Sequence, residues 1–244
     1  MVRIGKKGEL DMKKPMIGII GKVQPDYEND LWHHIDEVDQ FRYLVVHSGG
    51  NAIMLLPSQD SMKFNDNDIK DDTILTEEEL KDLYDQIDLC DGFILQGGLY
   101  SCNYEIEMAK RIIELDKPLI GVCAGFNNIL RALGSEVLLD ETDKHNHYEP
   151  EYRHDITMVK GTRLQKLIGK ETFKVNSIHS MIATKELVAP YATISSYSYD
   201  GLVESYEVEN KKFIIGFKWH PELLMDDGYV FDVFKEFIDC CKTK

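Results

Sequence analysis

The stretch Ile120-Gly-Val-Cys-Ala-Gly125 constrains this chain more than any other. A short apolar run ends in Gly121-x-Cys123-x-Gly125, and Phe126, Ile129, Leu130 and Leu133 follow at helical spacing. A strand that becomes a helix within so few residues puts the apex residue in a strained backbone region. Side chains beside the apex would meet the strand or the next helix, so glycine is needed there. The pattern is a nucleophile elbow written with cysteine. A helix N-terminus behind the sulfur favours the thiolate, which is the species that attacks. A cysteine on its own is most often a small buried hydrophobe. The two glycines and the strand-to-helix position set Cys123 apart.

Strands alternate with amphipathic helices around this elbow. Met16–Ile20, Ala52–Leu56, Gly92–Leu95 and Pro118–Val122 are short apolar runs. Between them, Val38, Phe41, Val45 and Val46 recur at helical spacing before Gly49-Gly50, and Tyr104, Met108, Ile112 and Leu115 mark a helix for which Asn103 is the expected cap. Such alternation implies right-handed βαβ units and a parallel sheet. The second half has strand character at 156–159, 173–175, 192–199, 202–208 and 213–217, with Asp200-Gly201 as a hairpin signal. Val230, Val233, Phe234, Phe237, Ile238 and Cys241 form a closing amphipathic helix. The expectation is an α/β, flavodoxin-like fold: one domain over residues 1–244 with a mostly parallel central sheet flanked by helices.

A cysteine nucleophile needs a base, and eight histidines are available. His220, in Gly216-Phe-Lys-Trp-His-Pro-Glu222, follows an apolar strand on a turn made rigid by Pro221, with a carboxylate two residues on. In extended chain that spacing puts both side chains on one side, so Glu222 can orient the imidazole. Acyl transfer also needs N–H groups aimed at developing negative charge, and Leu95-Gln-Gly-Gly98 offers a glycine pair at a strand end. His145-x-His147 with Glu149, Glu151 and His154 has metal-ligand residue types, but in a polar loop without defined ligand geometry, so no metal is expected there.

Lys and Arg total 28 against 43 Asp and Glu, a net charge of −15. The resulting field repels phosphate backbones and anionic headgroups, which argues against nucleic acid and membrane surfaces as partners. Between Asp60 and Asp91 there are 12 acidic and 3 basic residues. This segment reads as a solvated connection with a helix opening at Glu77, and an acidic lid or docking surface is the alternative. The five scattered cysteines contain no C-x-x-C pair, which fits reduced thiols and, with the absence of a secretory pattern at the start, a cytoplasmic protein. No apolar run approaches a membrane span.

Taken together, Gln96-Gly-Gly98, Gly121-Val-Cys-Ala-Gly125 and Trp219-His-Pro-Glu222 resemble the class I glutamine amidotransferase-like superfamily. Gly49 to Pro57 and Val175-Asn-Ser-Ile-His179 narrow the resemblance to the gamma-glutamyl-gamma-aminobutyrate hydrolase branch of the gamma-glutamyl hydrolase peptidases. The resemblance implies that Cys123 attacks a γ-glutamyl amide while His220 and Glu222 handle protons. N–H groups of Gly97 or Gly98 and of Ala124 would form the oxyanion hole, and Asn127, Ser177 and His179 would lie near the glutamyl end. It implies a small γ-glutamyl substrate and no cofactor, and it is compatible with a homodimer. Ala124, Phe126-Asn127, Ser180 and Gln96 depart from the family's usual residues. A glutaminase subunit passing ammonia to a synthetase and a non-catalytic glutamyl-metabolite binder are the alternatives.

Overall fold

A computed structural model describes residues 13–24, 33–62 and 72–242. The first half runs β1 (Met16–Ile20), β2 (Lys22–Gln24), β3 (His34–Asp36), α1 (Asp39–His47), β4 (Asn51–Leu55), α2 (Glu77–Asp88), β5 (Gly92–Leu95), α3 (Asn103–Glu114), β6 (Leu119–Val122) and α4 (Ala124–Ala132). The second runs β7 (Leu138–Leu139), β8 (His154–Met158), α5 (Arg163–Ile168), β9 (Thr172–Val175), β10 (Met181–Ile182), α6 (Lys185–Val188), β11 (Thr193–Ser198), β12 (Val203–Glu207) and β13 (Ile214–Phe217), then a 3-10 turn at Pro221–Leu223 and α7 (Tyr229–Cys241).

A nine-stranded sheet in the order β4-β1-β5-β6-β13-β12-β11-β8-β9 forms the centre. Its first five strands are parallel and the rest join antiparallel. The Asp200-Gly201 signal joins β11 to β12, with Gly201 at φ +89°. Side chains alternate across the parallel strands. Ile94, Ile120 and Val122 face α1, α5 and α7 through Phe41, Leu164 and Phe234. Phe93, Leu95 and Leu119 face α2, α3 and α4 through Leu83, Met108 and Ile129. Each such fully buried side chain stabilises the fold by about 1.5–3 kcal/mol relative to exposure.

The expected cap of α3 moves by one residue. Cys102 is the N-cap, with its N–H held by Glu105 at 2.8 Å, while the N–H of Asn103 donates to Asp72 at 2.6 Å. In the acidic segment, Thr76 and Glu79 form a reciprocal capping box at the start of α2. The middle of that segment, 63–71, lies outside the described residues.

Candidate active site

Three adjacent parallel strands, β5, β6 and β13, deliver the site. Each ends at the same edge of the sheet, with Leu95 paired to Gly121 and Phe217 to Val122. The segments leaving their carboxyl ends carry Gly97-Gly98, Cys123 and His220, the edge at which open α/β sheets hold ligands.

Cys123 is the apex of a strained turn, with φ +51° and ψ −101°. The glycines are required by distance. A Cβ on Gly125 would lie 2.0 Å from the Leu95 carbonyl oxygen, and one on Gly121 would lie 2.7 Å from that of Gly125. Gly97 is pressed under the imidazole, since a Cβ there would be 2.6 Å from His220 Cε1. Gly98 lies on the stem of Lys22, where a Cβ would approach Cε to 2.6 Å.

His220 Nδ1 is 2.7 Å from Glu222 Oε1. The pair forms by a different route from the extended chain expected, because Pro221–Leu223 is a 3-10 turn that folds Glu222 back under the ring. Asn176 fixes the histidine from its backbone, accepting from the His220 N–H at 2.8 Å and donating to its carbonyl at 2.9 Å. Burial raises the Cys123 thiol, but the neighbouring His220 and Lys218 together overcome it, and the thiol is lowered. Burial likewise opposes charge on His220, yet Glu222 and Cys123 raise it well above its usual range. Both shifts run in the direction that favours thiolate and imidazolium. The Cys123 sulfur lies 3.6 Å from the Ile178 carbonyl oxygen.

A cavity of about 460 Å³ opens beside the sulfur, lined by Gly98, Ala124, Asn127, Arg131, Ile178 and His179 among others. Ala124 is the first residue of α4, where the N–H has no intrahelical acceptor, so it can serve an oxyanion as Gly98 can.

Residues 102–222, which contain the elbow and the histidine turn, match the Peptidase C26 family. The Escherichia coli (strain K12) gamma-glutamyl-gamma-aminobutyrate hydrolase PuuD is 26% identical over 266 residues, covering 95% of both chains. Protein NtpR of Enterococcus hirae is 31% identical over 155 residues, 58% of this chain and 64% of that protein. The chain is thus similar to the gamma-glutamyl hydrolase branch of the class I glutamine amidotransferase-like superfamily. A glutamine amido transferase structure from Methylobacillus flagellatus shares its fold with a TM-score of 0.60, at 14% identity over 93% of this chain and 95% of that one.

Asn127 and His179 line the cavity. Ser177 is placed differently, buried behind the wall with its hydroxyl donating to the His145 carbonyl at 2.9 Å. Asn127 Oδ1 accepts from the buried Lys218 ammonium at 2.7 Å. Gln96, where the family often has proline, ties the end of β5 to its neighbours: its amide donates to the Ile20 and Asp36 carbonyls and accepts from the Val38 N–H, each at 2.9 Å. Arg131, on α4 one turn beyond Asn127, brings a guanidinium to the cavity wall, bonded to Ser101 at 2.8 Å and Asn128 at 3.0 Å. Asn176, Lys218 and Arg131 escape a sequence reading because their partners are distant in the chain or their position on the wall depends on packing.

Proposed function

We propose that this protein hydrolyses a γ-glutamyl amide through a thioester on Cys123. The observation that carries the reading is the convergence of Cys123, at the apex of the strained elbow, and the His220–Glu222 pair, bonded at 2.7 Å, at the mouth of a substrate-sized cavity. In this mechanism the sulfur attacks the γ-carbonyl carbon, and the N–H groups of Gly98 and Ala124 receive the oxyanion, each worth roughly 3 kcal/mol in comparable sites. His220 gives its Nε2 proton to the leaving amine. Water then attacks the thioester, returns a proton to His220 and releases glutamate, leaving the thiolate. No step needs a metal or an organic cofactor. The Arg131 guanidinium on the cavity wall suits the α-carboxylate of a glutamyl group. The named activity of the K12 relative supports this substrate class.

The fold neighbour described as a glutamine amido transferase favours one second reading, a glutaminase that feeds ammonia to a separate synthetase. Both readings are separated by assaying glutamate and amine release from γ-glutamyl-γ-aminobutyrate, glutamine and short poly-γ-glutamates, comparing the wild type with Cys123→Ser. The hydrolase reading expects turnover of at least one amide by the isolated protein, lost in Cys123→Ser. Glutamine turnover that appears only with a partner supports the glutaminase. Saturable binding with no release favours a binding protein and overturns both.

A further inference from the structure

A second constellation of buried polar groups lies behind the cavity wall, where the antiparallel half of the sheet meets the loop after β7. Glu204 on β12 is 0% exposed, and neither carboxylate oxygen has a hydrogen-bond partner among the described residues. Three imidazoles surround it. His145 Nδ1 is 4.0 Å from Glu204 Oε1, His154 Nε2 is 3.8 Å from it and His179 Nε2 is 3.8 Å from it. All three rings are at most 5% exposed. One ligand atom each from His145, His154 and Glu204 lie within 4.8 Å of one another.

The tautomers can be read from the outer contacts. His145 Nε2 faces Asp200 Oδ2 at 3.0 Å and His179 Nδ1 faces the Met181 carbonyl at 3.1 Å. Both partners can only accept, so these nitrogens carry the protons in the neutral rings, and the inward nitrogens present lone pairs. Ser177 Oγ is 3.3 Å from both inward nitrogens, but its single proton goes to the His145 carbonyl at 2.9 Å. Both nitrogens of His154 are buried, with no hydrogen-bond partner among the described residues. The Glu204 carboxyl and the His154 ring thus lie among these imidazoles with no hydrogen-bond partner among the described residues, an arrangement that is costly unless a cation completes it. Asp200 on the outer nitrogen of His145 forms the carboxylate–histidine relay that accompanies metal-bound imidazoles.

We propose that His145, His154, His179 and Glu204 form a structural site for a divalent transition-metal ion, zinc by preference. Three imidazole nitrogens and one carboxylate oxygen suit a tetrahedral zinc ion. The distances from Glu204 exceed by a few tenths of an ångström the roughly 3.4 Å ligand separation that such coordination demands. The ion's two positive charges are met by Glu204 and Asp200. The loop histidines flagged in the sequence contribute only in part. His147, Glu149 and Glu151 stay outside the cluster, and its carboxylate comes from a strand fifty residues later. The site would clamp the segment 177–179, whose Ile178 carbonyl meets the catalytic sulfur, to β8 and β12.

The test is metal content by mass spectrometry and thermal unfolding of chelator-stripped protein titrated with zinc chloride, for the wild type, Glu204→Gln, His154→Gln and Cys123→Ala. The proposal expects about one zinc per chain in the wild type and Cys123→Ala, with Tm raised by about 5 °C or more at a hundredfold excess over Kd. It expects at least a tenfold loss of affinity in Glu204→Gln and His154→Gln. Should those variants fail to fold, cobalt(II) added to wild type decides, since a closed site gives intense tetrahedral ligand-field bands with no thiolate charge-transfer band. Zinc-insensitive unfolding of the wild type, octahedral cobalt bands, or uptake abolished by Cys123→Ala would each overturn it.

Discussion

Burial raises the thiols of Cys90 and Cys102 to about 11 and about 12, and it raises Cys240 and Cys241 as well. Cys123 is also withdrawn from solvent and shifts the other way, because His220 and, to a smaller degree, Lys218 together outweigh desolvation. The sign gives a test. In His220→Ala the burial remains and the counter-charge is gone, so the midpoint of Cys123 alkylation against pH moves from below the ordinary thiol range to above it. At neutral pH the rate of modification by iodoacetamide falls about tenfold or more, one pKa unit being a factor of ten in thiolate. An unshifted profile would mean that the histidine does not set the reactivity of the sulfur. Cys123, His220 and Glu222 were legible in the sequence because each belongs to a local pattern: flanking glycines, or a strand end before proline. Asn176 and Glu105 were not, since they act across 44 and 83 residues.

The elbow is an element whose shape is dictated by the β5 strand lying against it. Gly125→Ala drives a methyl into the Leu95 backbone carbonyl, and neither partner can yield by rotating a side chain. It is expected to destabilise the protein by about 3 kcal/mol in urea unfolding. Gly161→Ala meets open space and carries only the strain of φ +90°, about 1–2 kcal/mol. Equal costs at the two positions would contradict the packing account of the elbow. At this scale the parallel strands and the helices α1, α3, α4 and α7 followed from hydrophobic period, which suffices where an element buries one continuous face. The pairs β2–β3 and β7–β10 did not. They are three and two residues long, and pairing partners rather than periodicity define them.

Across the whole molecule, the site depends on three strand ends staying in register. The buried Lys22–Glu105 pair, with Nζ–Oε distances of 2.7 and 2.9 Å, joins the start of β2 to α3, and the lysine stem supports Gly98. Lys22→Met keeps the stem and strands a buried carboxylate, which is expected to cost about 3–5 kcal/mol. Lys22→Met with Glu105→Met should recover most of that loss. A double variant as unstable as the single one would show that the pair's charge is not what matters. The right-to-left order of strands was not legible in the sequence, since nothing local says that β13 lies beside β6 and brings His220 to Cys123. That juxtaposition is the basis of the proposed chemistry, and trapping the covalent intermediate tests it most directly. Wild-type protein mixed with the amide that it turns over is quenched in acid within the first turnover, and the digested chain is weighed. The account predicts a transient glutamyl group on the peptide carrying Cys123, absent in Cys123→Ser and formed at least tenfold more slowly in His220→Ala. Turnover with no such adduct, or with the adduct on another residue, would contradict it.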